Sequence, residues 1–263
     1  NFLLRTFGKL QGGWLMIDAT TISKRFSKKI EQLSWVFDSK IGISILGLQL
    51  VMLAWSNGKI TIPLAIKVYQ KNSNKSKIDL ACELLQWAKR QGIRPDFVVF
   101  DSWYAASQLF RTVKKCKWEW VSRLKSNRKL DGVPLKEVCR NPYWMKTGII
   151  AGGHKALVVR HGKRYFASSN LSLSKKELLA AYKARWNIET VFKALHSKLG
   201  LDDCQARKLS AQTAHFHLCL FAYIALERER FIKKKSIYEM KRQCSFKFKT
   251  ADNIVSKLFF QCA

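Results

Sequence analysis

Apolar and polar positions change period along this chain of 263 residues. Trp14 to Ile22 (W-L-M-I-D-A-T-T-I) is a nearly unbroken apolar run with Asp18 set into it, which predicts a buried strand. Lys24 to Glu31 reads as a basic, polar connection. Gly42 to Trp55 and Lys59 to Tyr69 are two further strand-like runs, and Ser56-Asn57-Gly58 between them carries the Asn-Gly signal of a hairpin. Three antiparallel strands therefore open the fold. From Ile78 to Gln91 the period becomes helical: Ile78, Ala81, Cys82, Leu85 and Ala88 share a face, and Gly92 ends the helix. Phe97 to Asp101 (F-V-V-F-D) is a short run without alternation, predicting a strand buried on both faces that ends in an acid. A helix over Ala105 to Lys115 and a strand over Trp118 to Leu124 follow.

Ser126 to Asn170 has another texture. Short β-like pieces (Ala156 to Val159, Tyr165 to Ala167) alternate with turn signals at Asp131-Gly132, Gly152-Gly153 and His161-Gly162. This predicts a β-rich insertion. The stretch from Ser174 to Gly200 reads as one helix. Ser174 and Glu177 form a capping box, and Gly200 is a C-terminal cap. Leu178, Ile188, Val191, Phe192, Leu195 and Leu199 make its apolar face, and Tyr182, Arg185, Glu189, Lys193 and His196 a second face. Ala211 to Ile232 is a further long helix, and Lys233 to Lys249 a basic tail with interleaved aromatics. The order predicts an α/β fold: a mixed five-stranded sheet flanked by helices, with the β-rich insertion before the helix that carries Glu189.

Charge changes the picture most. Lys plus Arg number 48 against 18 acidic residues, a net +30. A chain so basic repels itself unless a polyanion neutralises it, and nucleic acid rewards each basic group with counterion release. An anionic membrane is the competing partner, but Ile41 to Trp55 and His215 to Leu226 are too short to span a bilayer. No signal peptide opens the chain. The seven cysteines stand singly with no C-x2-C pair, which points to reduced thiols in a cytosol-like compartment and away from a zinc site.

Three of the few acids sit in conspicuous places: Asp18 on the first strand, Asp101 at the end of the strand after the first helix, and Glu189 mid-helix. The order of elements would bring them to one end of the sheet. Three carboxylates in a basic protein can hold two divalent ions, and hard oxygen ligands suit Mg²⁺ or Mn²⁺. Each acid also has a plainer reading: a turn or cap for Asp18, a helix cap for Asp101, a surface ion pair with Lys193 for Glu189. The run Arg123 to Lys129 (R-L-K-S-N-R-K) reads either as a phosphate contact, through Arg123 and Lys125 above all, or as a solvated loop. Trp103, Tyr104, Trp118 and Trp120 could stack on an unpaired base, or belong to the core.

The motifs I-D-A-T at Ile17, S-K-K-I-E-Q-L-S-W-V-F-D at Ser27, I-L-G-L-Q-L at Ile45, V-F-D-S-W-Y at Val99, R-L-K-S-N-R at Arg123 and Y-K-A-R-W-N-I-E at Tyr182 cover nearly the whole chain. In them the chain resembles the DDE transposases of bacterial insertion sequences, in particular the insertion-sequence-4-like group. The resemblance implies an RNase H-like catalytic core over residues 1–125 and 171–232, a β-rich insertion over 126–170 and a basic tail over 233–263. A separate N-terminal end-recognition domain would be absent from this chain. It implies Asp18, Asp101 and Glu189 as metal ligands for Mg²⁺ or Mn²⁺, and cut-and-paste transposition of DNA by a homodimer in the bacterial cytoplasm. Tyr182 and Arg185 would contact DNA near the cleaved end. The family pattern places a Lys where this chain has His196, flanked by Lys193 and Lys198. A DNA-binding remnant without activity, or an RNA-binding protein, are the rival readings.

Overall fold

A computed structural model describes residues 8–38, 42–138, 141 and 143–247. Strand β1 (Trp14–Ser23) lies at the centre of the sheet. It pairs antiparallel with β3 (Ile43–Ser56) on one side and parallel with β5 (Phe97–Phe100) on the other. The hairpin signal holds: β3 turns into β4 (Thr61–Tyr69), Asn57 Oδ1 accepts from the Lys59 and Ile60 N–H groups, and Gly58 takes the positive φ of +86°. Beyond β5 comes β6 (Glu119–Leu124), also parallel. The five strands β4-β3-β1-β5-β6 are the sheet that the sequence predicts.

Six more strands extend it. β2 (Ser34–Asp38), which the apolar pattern did not announce, pairs antiparallel with the first part of β3, while β4 takes the second part of the same edge. The β-rich stretch is no separate layer. β11 (Arg164–Ser168) pairs with β6, and β10 (His154–His161), β9 (Met145–Ile150), β7 (Lys129–Leu130) and β8 (Val133–Pro134) continue outward in that order.

Helices cover both faces because the central strands alternate. Leu15 and Ile17 of β1, with Val98 and Phe100 of β5, pack on α1 (Lys77–Arg90) and α2 (Ser107–Lys115). Met16, Val99 and Val121 point the other way. There they meet α4 (Lys175–Lys183), α5 (Trp186–Lys198) and α6 (Leu209–Lys233) through Leu178, Ile188, Val191, Phe192, Phe216 and Leu220. A single turn, α3 (Leu135–Val138), follows β8. By length and composition α6 could cross a membrane, yet Phe216, Cys219, Leu220 and Tyr223 are buried in this core. The expected tail begins inside α6 and continues as α7 (Ile237–Lys247); residues 248–263 lie outside the described residues.

One expectation is corrected. The stretch from Ser174 to Gly200 is two helices, not one. Its capping box is formed as expected, with Ser174 Oγ accepting from the Glu177 N–H and the Glu177 carboxylate from the Ser174 N–H. At the joint, the N–H groups of Ala184, Arg185, Asn187 and Ile188 donate to carbonyls three residues back instead of four. That tightening marks the point where the Arg185 side chain turns in toward β1.

Candidate active site

The alternation that builds the core also places the acids. Asp18 and Thr20 follow Met16 on the face of β1 that looks at α4 and α5, and Asp101 follows Val99 on the same face. In the parallel ladder Ile17 pairs with Phe100. Asp18 and Asp101 are therefore the next neighbours, on strands about 4.8 Å apart. Helix α5 buries Ile188, Val191, Phe192 and Leu195 against this face, which brings Arg185 and Glu189 over the two aspartates.

Arg185 joins the group. Its Nη1 donates to Asp18 Oδ2 at 2.9 Å, and its Nη2 donates to Glu189 Oε1. Asp18 Oδ1 accepts from the Ala19 N–H at 2.8 Å, and Asp101 Oδ1 from the Ser102 N–H at 2.6 Å. Tyr182 stands at the other side, its hydroxyl 3.4 Å from Asp101 Oδ1 and its ring edge-on to Phe166. The side chains of Arg185, Asp18 and Glu189 are 15%, 23% and 33% exposed, so the group is recessed and still open to solvent.

Burial pushes the Asp18 carboxyl up to about 6, and the neighbouring charges of Asp101 and Glu189 push in the same direction. The Ala19 N–H and the Arg185 guanidinium oppose them only in part. Burial also holds the Tyr182 phenol above its ordinary value. Burial alone would weaken the charge on Arg185, but Tyr182, Asp18 and Glu189 outweigh it and keep the guanidinium firmly protonated. Three buried polar atoms, Arg185 Nε, the Tyr104 hydroxyl and, away from the acids, Gln212 Oε1, have no hydrogen-bond partner among the described residues.

The other sequence-predicted groups divide. Lys193 and Lys125 are exposed, whereas Arg123 is half-buried on β6 and close enough to influence Tyr182. Lys198 lies over the Tyr238 ring at 5.2 Å. His196 is turned inward and engaged on both ring nitrogens: Nε2 is 2.8 Å from Thr20 Oγ1, and Nδ1 is 2.5 Å from Asp202 Oδ2. Lys24, itself buried, donates to the Asp202 and Cys204 carbonyls and extends this network. Thr20, Lys24 and Asp202 escaped the sequence reading. Thr20 lies two residues from Asp18 on the same face, the one signal that could have found it. Of the four aromatics considered for base stacking, Tyr104, Trp118 and Trp120 are buried in the core; Trp103 is half exposed, under the Lys77 ammonium at 4.4 Å.

Among the described residues no three ligating side chains already stand at metal-binding spacing. The donor chemistry nevertheless fits a hard divalent ion. Three carboxylates converge, two of them raise the pKa of the third, and a cationic guanidinium bridges Asp18 and Glu189. Arg185 supplies positive charge to the Asp18 and Glu189 oxygens, two of the three carboxylates that would hold such an ion.

The profile of the family described as the transposase DDE domain matches residues 12–225. Among solved structures, the chain is similar to the piggyBac transposase in its synaptic complex with hairpin DNA, at 12% identity and a TM-score of 0.66. That match covers 95% of this chain and 54% of the other, so the chain spans about half the length of that protein. Endonuclease V of Ciona intestinalis, in complex with DNA, matches at 12% identity and a TM-score of 0.37, over 68% of this chain and 86% of that one. The human endonuclease V matches at 13% identity and a TM-score of 0.32, covering 87% of each chain. No curated protein matches.

Proposed function

The chain belongs to the transposase DDE domain family, and we propose that it is the catalytic core of a transposase that cuts DNA and joins the freed 3′ ends to a target. The observation that carries this reading is the convergence of Asp18, Asp101 and Glu189 on one face, around Arg185. Asp18, Asp101 and Glu189 are the residues that would hold Mg²⁺ or Mn²⁺. When bound, such ions activate the attacking oxygen and stabilise the leaving one in phosphodiester chemistry.

The chain's own groups have distinct tasks. Ile188, Val191 and Leu195 fix α5 on the sheet, so Glu189 is held over the strand acids without a loop between them. Arg185 keeps Asp18 and Glu189 together while the site is at rest. When a phosphate arrives, its guanidinium can turn to the phosphate oxygens, since its planar fork fits both partners. Tyr182 borders Asp101 and is placed to orient the DNA strand beside it. Lys193 and Lys125, both exposed, and Arg123 provide phosphate contacts around the site. The net charge of +30 favours DNA as partner. We further assign the chain to the insertion-sequence-4-like group, acting as a homodimer in the bacterial cytoplasm. The motifs from Ile17 to Glu189 support that assignment.

Nicking of supercoiled plasmid in Mn²⁺, read beside a gel shift on the same DNA, tests the proposal. Glu189→Gln and Asp101→Asn should each slow nicking by orders of magnitude and leave DNA affinity within about threefold, because carboxylates do not attract phosphate. Near-wild-type nicking by both variants would remove the triad assignment.

A further inference from the structure

The ribbon formed by β2 and the first part of β3 has two unlike faces. Val36 and its ladder partner Ile45 are 6% and 3% exposed, so one face is built into the fold. Trp35 and Phe37 alternate with them on the other face and are 66% and 61% exposed, opposite Leu46 and Ser44. In the segment between β1 and β2, Phe26 is 97% exposed. Large aromatics this open on a sheet face call for a partner.

Position and charge identify its chemistry. Arg25, Lys28 and Lys29 are exposed in the connection that leads into the ribbon. That connection is stapled to the segment after α5. Lys24 Nζ donates to the Asp202 and Cys204 carbonyls, the Glu31 N–H donates to the Arg207 carbonyl, and the Leu209 N–H donates to Glu31 Oε2. The staple brings exposed Arg207 and Lys208 to the base of the ribbon as well. Five basic groups and an open pair of aromatics therefore stand together. A second copy would bring the same positive charges to face them, which disfavours that occupant; a nucleic acid strand neutralises them and offers base faces to the rings.

We propose that the Trp35–Phe37 face is a stacking platform for unpaired bases of the DNA strand that leaves the active site. This rests on the function proposed above and adds to it a class of substrate feature, the single-stranded or unstacked segment. The ladder gives the reach. Asp18 is opposite Met52, Trp35 opposite Leu46 and Phe37 opposite Ser44. Along β3 the two rings therefore stand about 20 Å and about 26 Å beyond Asp18. At the duplex rise of about 3.4 Å per nucleotide this is at most about six and about eight nucleotides from the carboxylates, and an unstacked strand, being more extended, covers it in fewer.

The test uses a blunt duplex, the same duplex with a 12-nucleotide single-stranded extension, and that extension made of abasic sugars. The wild-type chain should bind the extended duplex more tightly than the abasic one. The double variant Trp35→Ala/Phe37→Ala should lose roughly 5- to 150-fold for the extended duplex for each base stacked, and bind blunt duplex within about twofold. It should no longer tell bases from abasic sugars. Trp35→Phe/Phe37→Tyr should restore that discrimination, which shows that the ribbon still folds and that ring faces are what count. Discrimination retained in the alanine variant overturns the platform. A mass change from dimer to monomer in that variant, by light scattering, overturns it in favour of a subunit contact. Failure of the wild type to bind any of the three DNAs overturns the function reading itself.

Discussion

Replacing Asp18 by Asn should stabilise this protein in the absence of divalent ions, by an amount that grows as the pH rises above about 4. Asp18 is recessed beside Asp101 and Glu189, and burial is the main reason that its carboxyl is raised from 3.8 to about 6. Arg185 opposes the rise; Lys77 and Tyr104 also sense its charge. Well below pH 3.8 the side chain is neutral in both the folded and unfolded states. Between pH 4 and 6 the unfolded chain has lost the proton and the folded chain keeps it. The unfolded state then binds fewer protons, so stability falls as pH rises through this window. At about 1.4 kcal/mol per pH unit, the ionised carboxylate costs the fold about 3 kcal/mol at pH 7.5. Asn has the shape of the neutral acid and removes that cost. For a domain of this size the gain corresponds to a rise of about 6–10 °C in melting temperature. Calorimetric melts of wild type and Asp18→Asn in EDTA, at half-unit steps from pH 4 to 8, provide the measurement. The two curves should meet near pH 4 and separate above it. Adding Mn²⁺ at pH 7.5 should raise the wild type and leave the variant nearly unmoved. Parallel curves across the range, or a variant less stable than wild type at pH 7.5, would refute the electrostatic account of the site.

Arg185→Met removes the charge between Asp18 and Glu189, so the melting temperature in EDTA should fall more at pH 8 than at pH 5. A drop independent of pH would mean that packing, not charge, is Arg185's role. His196→Ala leaves the Thr20 hydroxyl and the Asp202 carboxylate without their partner and should cost about 1–3 kcal/mol in urea unfolding. Gly47→Ala should cost several kcal/mol in the same measurement, because a Cβ there would lie 2.3 Å from the Ile22 carbonyl oxygen, a backbone atom that cannot rotate away. DNA affinity should fall steeply and log-linearly between low and moderate salt, as phosphate-dominated contact requires; a flat dependence by fluorescence anisotropy would exclude it.

Local rules were enough to read most elements of this fold. The Asn57-Gly58 turn, the capping box at Ser174 and Glu177, and the unalternating run at Phe97 are short-range signals, and each element forms where its signal stands. The three acids could be named from sequence because a carboxylate at a strand end or amid basic helix positions is conspicuous in a chain of net charge +30. What the sequence could not fix is register and rotation. Whether Asp18 lies beside Asp101 depends on Ile17 pairing with Phe100, a choice made by packing across 82 intervening residues. Helical periodicity put Tyr182 and Arg185 on one continuous helix with Glu189. The tertiary structure broke that helix at Ala184 and Arg185 and aimed the arginine at Asp18. His196, which helical spacing placed on the second face with Glu189, turned inward because Thr20, far away in sequence, and Asp202 offer it a hydrogen bond on each ring nitrogen. Strand β2 was missed for the same reason. Trp35, Phe37 and their neighbours have one buried face only because β3 stands beside them, and an edge partner leaves no trace in the local pattern. Periodicity records which face of an element is apolar. Which residue of another element meets that face is decided by the collective packing of the core.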